Sequence, residues 1–248
     1  MKTALATLSN VSLSYFTEQE ETQAIRDLNM EIKKGEFTAI VGPSGCGKTS
    51  VLSLIMGLLQ PQSGTVSIDR DKIRIGYMLQ RDHLLEWRTV EKNVLLGLEV
   101  QHRLTDATRE KAFSLLDTYG LGEFRTFYPD QLSGGMRQKV ALIRTLAIEP
   151  DLLLLDEPFS ALDYQTRLHL CDEVYHIIRQ EQKTAILVTH DISEAVSMAD
   201  RILVFSKRPS YIKREIESGF SADIPPLLRR KSLLFQQKFE QVWEEIES

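Results

Sequence analysis

Apolar and polar positions change their period along this chain, and the changes divide it into parts. Leu5 to Tyr15 alternates loosely, and Thr22 to Ile32 does the same before the turn Lys33-Lys34-Gly35, which predicts an antiparallel strand region. Phe37 to Val41 is short, continuously apolar and followed by glycine, the pattern of a buried strand. Val51, Leu52, Leu54 and Ile55 then fall at helical spacing, which predicts a helix from Lys48 to Met56 with Gly57 as its stop. Strands are expected next at Thr65 to Ile68 and Ile73 to Met78.

From Thr89 to Ile148 helical periodicity takes over, with helices expected at Asp106 to Tyr119, closed by Gly120, and at Met136 to Ile148, closed by Pro150. Alternation returns after this insert: strand Leu152 to Leu155, helix Tyr164 to Gln180, strand Ala185 to Val188, helix Ile192 to Ala199 and strand Arg201 to Phe205. Repeated strand-helix units with apolar strands predict an α/β fold whose parallel sheet is covered by helices on both faces. The last stretch, Leu233 to Ile246, puts Phe235, Phe239, Val242 and Ile246 on one face of a terminal helix, a packing face.

Composition narrows the function. A chain of 248 residues with 42% hydrophobic and 26% charged content can bury a sizeable core. No run approaches the roughly 18 to 20 apolar residues of a membrane span, and Met1 to Asn10 lacks a charged-then-apolar secretion signal, so a cytoplasmic location is expected. Two cysteines, Cys46 and Cys171, are too few for a disulfide framework or a cysteine-rich zinc site. The net charge of -5 does not suit a protein that grips DNA or RNA. Any phosphate chemistry has to come from a local site.

One is present. Gly42-Pro43-Ser44-Gly45-Cys46-Gly47-Lys48-Thr49 matches the phosphate-loop pattern, after a predicted strand and before a predicted helix. Its glycines let successive amides turn inward as a nest for oxyanions at the positive end of the helix. Lys48 is expected to reach the β- and γ-phosphates of a nucleotide, and the Thr49 hydroxyl to bind magnesium. Cys46, beside Lys48 and inward-facing amides, is expected to have a lowered pKa and to be alkylated in a reaction that ATP blocks.

The run Leu152-Leu153-Leu154-Leu155-Asp156-Glu157-Pro158 predicts a buried strand ending in two carboxylates at the sheet's carboxyl edge, the edge where the phosphate loop also opens. Alone, the pair reads better as an acidic turn. Beside a phosphate loop, Asp156 is placed to hold magnesium, and Glu157, facing the other way along the strand period, to polarise a water for attack on the γ-phosphate.

Leu132-Ser133-Gly134-Gly135-Met136-Arg137-Gln138-Lys139 completes a set that resembles the ATP-binding cassette family from Asn10 to about Pro209, with the motifs in family order. Ser133, Gly134 and Gly135 open a helix and offer free amides and a hydroxyl to a second phosphate site. A single ATP cannot use both ends of one molecule. The resemblance implies a head-to-tail homodimer in which each ATP lies between one subunit's phosphate loop and the other's Ser133, Gly134, Gly135 and Asp163. It also implies nucleotide contacts running from Gly42 to Ser50, with Tyr15 stacking on adenine, although Phe16 is an alternative stacker. Gln80 resembles the family's glutamine that senses magnesium and γ-phosphate, and His190 the histidine that steadies the attacking water. Ser160-Ala161-Leu162-Asp163 resembles the loop that couples the two sites. Glu157, His190, Lys48 and Gln80 are the implied catalytic set, with Mg2+ on Thr49, Gln80 and Asp156.

The implied fold is a P-loop ATPase with a mainly parallel sheet, an N-terminal antiparallel subdomain and a helical subdomain. Its ATPase domain would span 1–215, with the helical part about 81–150, and a C-terminal extension 216–248. Leu84 to Val90, with Asn93 and Val94, resembles the importers of nitrate, sulfonates and taurine, which typically have proline where this chain has Glu86. Met136 likewise stands where many members have glutamine. The implied partners are membrane permease subunits, contacted near Trp87 at the cytoplasmic face of the membrane, and indirectly an extracytoplasmic binding protein, with no nucleic acid. A pyrimidine-like vitamin precursor is the alternative cargo. A phosphotransferase has no use for Ser133 to Gly135, and the cassette ATPases that act on DNA or ribosomes have paired cassettes or a long coiled coil, which this chain lacks.

Overall fold

The computed structural model describes residues 3–17, 20–160 and 162–247. In chain order these form β1 (Ala4–Phe16), β2 (Glu21–Lys33), β3 (Phe37–Val41), α1 (Lys48–Met56), β4 (Ser63–Ile68), β5 (Ile75–Met78), α2 (Val90–Val100), α3 (Asp106–Thr118) and α4 (Gly134–Ala147). There follow β6 (Leu152–Asp156), α5 (Tyr164–Gln180), β7 (Thr184–Val188), α6 (Ile192–Met198), β8 (Arg201–Phe205), β9 (Ile212–Glu217), α7 (Pro226–Arg229) and α8 (Leu233–Glu247). The chain divides into two compact units. One combines the segment up to Ile73 with that from Cys171 onward, and the other is Arg74–Leu170, so one boundary falls inside α5.

In the first unit β1 pairs antiparallel with β2 on one side and β4 on the other. Its alternating pattern buries Leu8, Val11 and Leu13 from β1 and Ile25, Leu28, Met30 and Ile32 from β2. β3 lies parallel between β7 and β8, and every residue of these three strands is buried, as their unbroken apolar runs require. β9 adds to β8 antiparallel. Its sequence, Ile-Lys-Arg-Glu-Ile-Glu, is largely polar, and of its residues Ile216 alone is buried, which is why the apolar pattern gave no sign of it. Arg201, 3% exposed, ties this edge together through Glu36 and Glu215, each at 3.0 Å, and the Glu31 carbonyl at 2.6 Å. The terminal helix α8 packs on α6, β8 and β9 around Val242, the buried centre of the face read from its periodicity.

In the second unit β5 runs parallel to β6, in register from Ile75 opposite Leu152 to Met78 opposite Leu155. α4 packs against both α2 and α3. Val90, Val94 and Leu98 of α2, Ala112 and Leu116 of α3, and Val140, Leu142, Ile143 and Leu146 of α4 form the buried surface. The Thr105 and Thr108 side chains cap the start of α3 reciprocally. No helix among the described residues is long and apolar enough to cross a membrane.

Candidate functional site

The phosphate loop lies in the first unit, between the end of β3 and the start of α1. Gly47 caps α1 at φ 106°, a backbone conformation that a side chain would strain, so the loop can turn its amides inward only with glycine here. Lys48 is 6% exposed, and its ammonium donates to the Gly42 carbonyl at 2.8 Å and the Pro43 carbonyl at 3.0 Å. A charge so placed is already desolvated and held over the loop by its own backbone, within reach of whatever the loop holds. Ser44, Gly45 and Thr49 stand exposed at the loop surface, and Ser50 is buried at the first turn of α1. The Tyr15 and Ser50 hydroxyls share a hydrogen bond of 2.8 Å, which fixes the Tyr15 ring beside the start of α1, while Phe16 is 66% exposed. His190 follows β7 and is exposed. The next residue, Asp191, caps α6 through the Ser193 and Glu194 amides.

Cys46 corrects the sequence reading. Its thiol is 2% exposed, and burial pushes its pKa above the ordinary thiol value, outweighing the nearby Lys48 charge that pulls it down. Alkylation by iodoacetamide at pH 8, followed by mass spectrometry, is therefore expected to be at least about tenfold slower than for free cysteine and unchanged by ATP. Fast labelling that ATP suppresses would restore the earlier expectation.

The second unit carries the acidic residues and the second helix start. Asp156 ends β6, is 5% exposed, and accepts a hydrogen bond from the Tyr77 hydroxyl at 3.2 Å. Glu157 follows at φ 46°, the left-handed region that non-glycine residues rarely enter, at a cost of about 1 to 3 kcal/mol. The Ser160 amide and hydroxyl both donate to its carbonyl, at 3.2 and 3.0 Å, and hold that turn. Gln80 lies two residues beyond β5, and its amide nitrogen donates to the Glu157 carboxylate at 3.3 Å, so its amide oxygen stays outside that contact. Ser133 caps α4 by accepting from the Met136 amide at 3.3 Å. A side chain at Gly135 would meet the Thr166 methyl at 2.9 Å, so glycine is what lets the start of α4 approach the first turn of α5. Asp163 caps that turn, accepting from the Gln165 and Thr166 amides at 3.1 Å, and the Thr166 hydroxyl and amide hold its carboxyl below the usual range. The start of α4 and Asp163 are thus brought together. Ala161, in the loop before it, lies outside the described residues.

Several positioning residues in this unit escaped the sequence reading. Arg137 and Arg144 of α4 both reach the segment after Gln80: Arg137 pairs with Asp82 at 3.2 Å, and Arg144 donates to the Asp82 and His83 carbonyls at 2.5 and 2.8 Å. Asn93, fully buried, accepts from the Leu85 amide and donates to the Leu85, Arg88 and Thr89 carbonyls. Between those anchors Trp87 is 75% exposed, so it packs little against its own chain. Asn93 stood out in the sequence only as part of the importer-like segment, directly after the charged Glu91 and Lys92; the arginines of α4 carried no signal for this role, since a charged residue on a helix is ordinarily a solvated one.

The family model described as ABC transporter matches residues 25–160, more than half of the chain. The chain belongs to the ABC transporter family. It is an ATP-binding ATPase of that family. It is 46% identical over 248 residues to the Bacillus subtilis (strain 168) ABC transporter ATP-binding protein YtlC, covering 97% of this chain and 95% of that protein. It is 39% identical over 233 residues to the aliphatic sulfonates import ATP-binding protein SsuB of Bacillus licheniformis, covering 92% and 89%. Among solved structures it resembles a dimeric ATP-binding cassette in a post-hydrolysis state bound to ADP and phosphate, with TM-score 0.74 and 33% identity, covering 87% of this chain and all of that one. The P-loop ABC ATPase fold expected from the sequence is thereby established.

Magnesium suits the donor set. It takes hard oxygen donors, keeps several waters and needs only one or two protein ligands beside substrate phosphates. In the first unit the Thr49 hydroxyl, and separately in the second the buried Asp156 carboxylate and the Gln80 amide oxygen, are donors of that kind.

Proposed function

We propose that this chain is the energy-coupling ATPase of an importer for a small anion, with an alkanesulfonate as the favoured cargo. The observation that carries the reading is that one chain holds two different anion-gripping helix starts. One is the Lys48-capped loop before α1, and the other is the Ser133-capped start of α4. A single ATP cannot use both starts of one molecule, so two copies arranged head to tail each supply a different start to the same ATP. The import role and the cargo class rest on the likeness to SsuB.

In this reading Lys48 and the loop amides hold the β- and γ-phosphates, while Tyr15 offers its ring to adenine. Thr49, Asp156 and Gln80 would hold magnesium, which when bound neutralises phosphate charge. Glu157 takes a proton from the attacking water, His190 steadies that water, and Gln80 keeps the Glu157 carboxylate oriented. Losing the γ-phosphate removes the charge on which donors from both copies converge, which releases the dimer. Gln80 shares its segment with Asp82 and His83, which α4 grips, so a shift of α4 when a nucleotide engages its start moves that segment. Trp87, on the exposed stretch that Asn93 pins, is the surface offered to a permease at the membrane's cytoplasmic face.

The test is to purify the tagged chain from its native membranes and to delete it in the same strain. A co-purifying multi-span membrane protein, with loss of growth on alkanesulfonates as sole sulfur source, is the expected result. Growth lost on pyrimidine precursors instead would replace the cargo and leave the importer. Recovery with nucleic acid and no membrane protein would overturn the importer as well.

A further inference from the structure

A cavity of about 330 Å³ in the first unit lies against the phosphate loop and is unused by the chemistry above. Arg26, Lys207, Arg208 and Lys213 line it, with Glu245 as its one carboxylate and Pro43 of the loop as part of its wall. Lys213 donates to the Glu245 backbone carbonyl at 2.7 Å, and the Glu245 carboxylate leans toward Arg214 at 3.8 Å. None of Arg26, Lys207 and Arg208 forms an ion pair with a described carboxylate. Three uncompensated cations around one concavity focus a positive potential into it, which favours a counter-ion. The volume is at the lower end of the range for small-molecule sites, about 300 to 1,000 Å³, which suits a compact metabolite and excludes a polymer.

Two contacts connect this cavity to nucleotide binding. Pro43 lines it and, through its carbonyl, accepts from the Lys48 ammonium at 3.0 Å. The Arg208 guanidinium lies 2.9 Å from where a Gly45 side chain would begin, so its charge sits directly against the loop. We infer that the cavity binds a small phosphate- or sulfonate-bearing anion and that its occupancy weakens nucleotide binding at the phosphate loop. A bound anion neutralises Arg208 and its neighbours, lowers the positive potential felt by the nucleotide's phosphates, and competes for the position of Pro43. The coupling is reciprocal, so the nucleotide weakens the anion by the same factor.

The experiment titrates the ADP-saturated full chain by calorimetry at constant ionic strength with pyrophosphate in one arm and ethanesulfonate in the other. With the phosphate loop already filled, saturable one-to-one binding of either probe is expected, and the arm that binds distinguishes a phosphate-bearing from a sulfonate-bearing ligand. The double variant Arg26→Gln/Lys207→Gln is expected to bind the probe at least about tenfold more weakly while keeping the parent's thermal denaturation profile, which shows that it is folded. Saturating probe is expected to raise the dissociation constant of ADP at least about fivefold in the parent and not in the variant. The inference is overturned if neither probe binds, if the double variant binds as the parent does, or if ADP affinity ignores a bound probe.

Discussion

Replacement of Glu157 by glutamine leaves ATP affinity near the parent value and slows hydrolysis about 10²- to 10⁴-fold, the usual worth of a positioned general base. Glutamine is nearly isosteric with glutamate, and its side-chain oxygen can still accept the Gln80 amide, which stands 3.3 Å from the carboxylate. The turn around residue 157, with φ 46° and two hydrogen bonds from Ser160 to its carbonyl, depends on backbone and not on charge. The substitution therefore removes little besides the ability to take a proton from water. Single-turnover hydrolysis with radiolabelled ATP measures the effect, and size exclusion in ATP measures its consequence, because a nucleotide that is bound but not cleaved is expected to hold two copies together. Turnover at the parent rate would remove Glu157 from the role assigned to it and with it the reading of its strained backbone.

How far the sequence foretold this arrangement depends on the range of the forces involved. The helix Lys48 to Met56 and strands such as Phe37–Val41 were legible because each is specified by neighbours within one or two turns, through apolar spacing and glycine punctuation. The phosphate loop and the acidic pair were legible because their chemistry needs a fixed local spacing. β9 was not, since an edge strand paired on one side can be mostly polar, and it is specified by β8 and the buried Arg201 rather than by its own pattern. The grip of Arg137 and Arg144 on residues 82 and 83 spans more than fifty positions in the chain and leaves no periodic trace.

Cys46 shows the limit in the other direction. Its neighbours in sequence, Lys48 and the glycines, argued for a thiolate, and that electrostatic argument was sound as far as it went. The Cys46 side chain is 2% exposed and faces inward, where a Cβ on Gly42 would sit 3.2 Å from its sulfur. Desolvation then exceeds the attraction of one ammonium. Local charge predicts a shift only when exposure is known.

Lys48→Ala has a comparably large expected effect through a different term. In this structure the Lys48 ammonium is held by two loop carbonyls, Gly42 and Pro43, so alanine removes both hydrogen bonds before any nucleotide arrives. Gly42 is buried and Pro43 half-buried, so water replaces the lost donor poorly, and stability falls by about 1 to 3 kcal/mol. With ATP the balance differs. Charge-assisted hydrogen bonds to phosphate are worth about 1.5 to 3 kcal/mol each, so nucleotide binding weakens about 10- to 100-fold. Hydrolysis falls further, by at least about 10²-fold, because the same charge stabilises the phosphoryl group as it separates. Thermal denaturation without nucleotide, a fluorescent-nucleotide titration and a turnover assay separate the three quantities. A variant that unfolds would make Lys48 a structural strut. One that binds weakly but turns over at the parent rate when saturated would confine the residue to ground-state binding, and the transition-state role would have to pass to another cation.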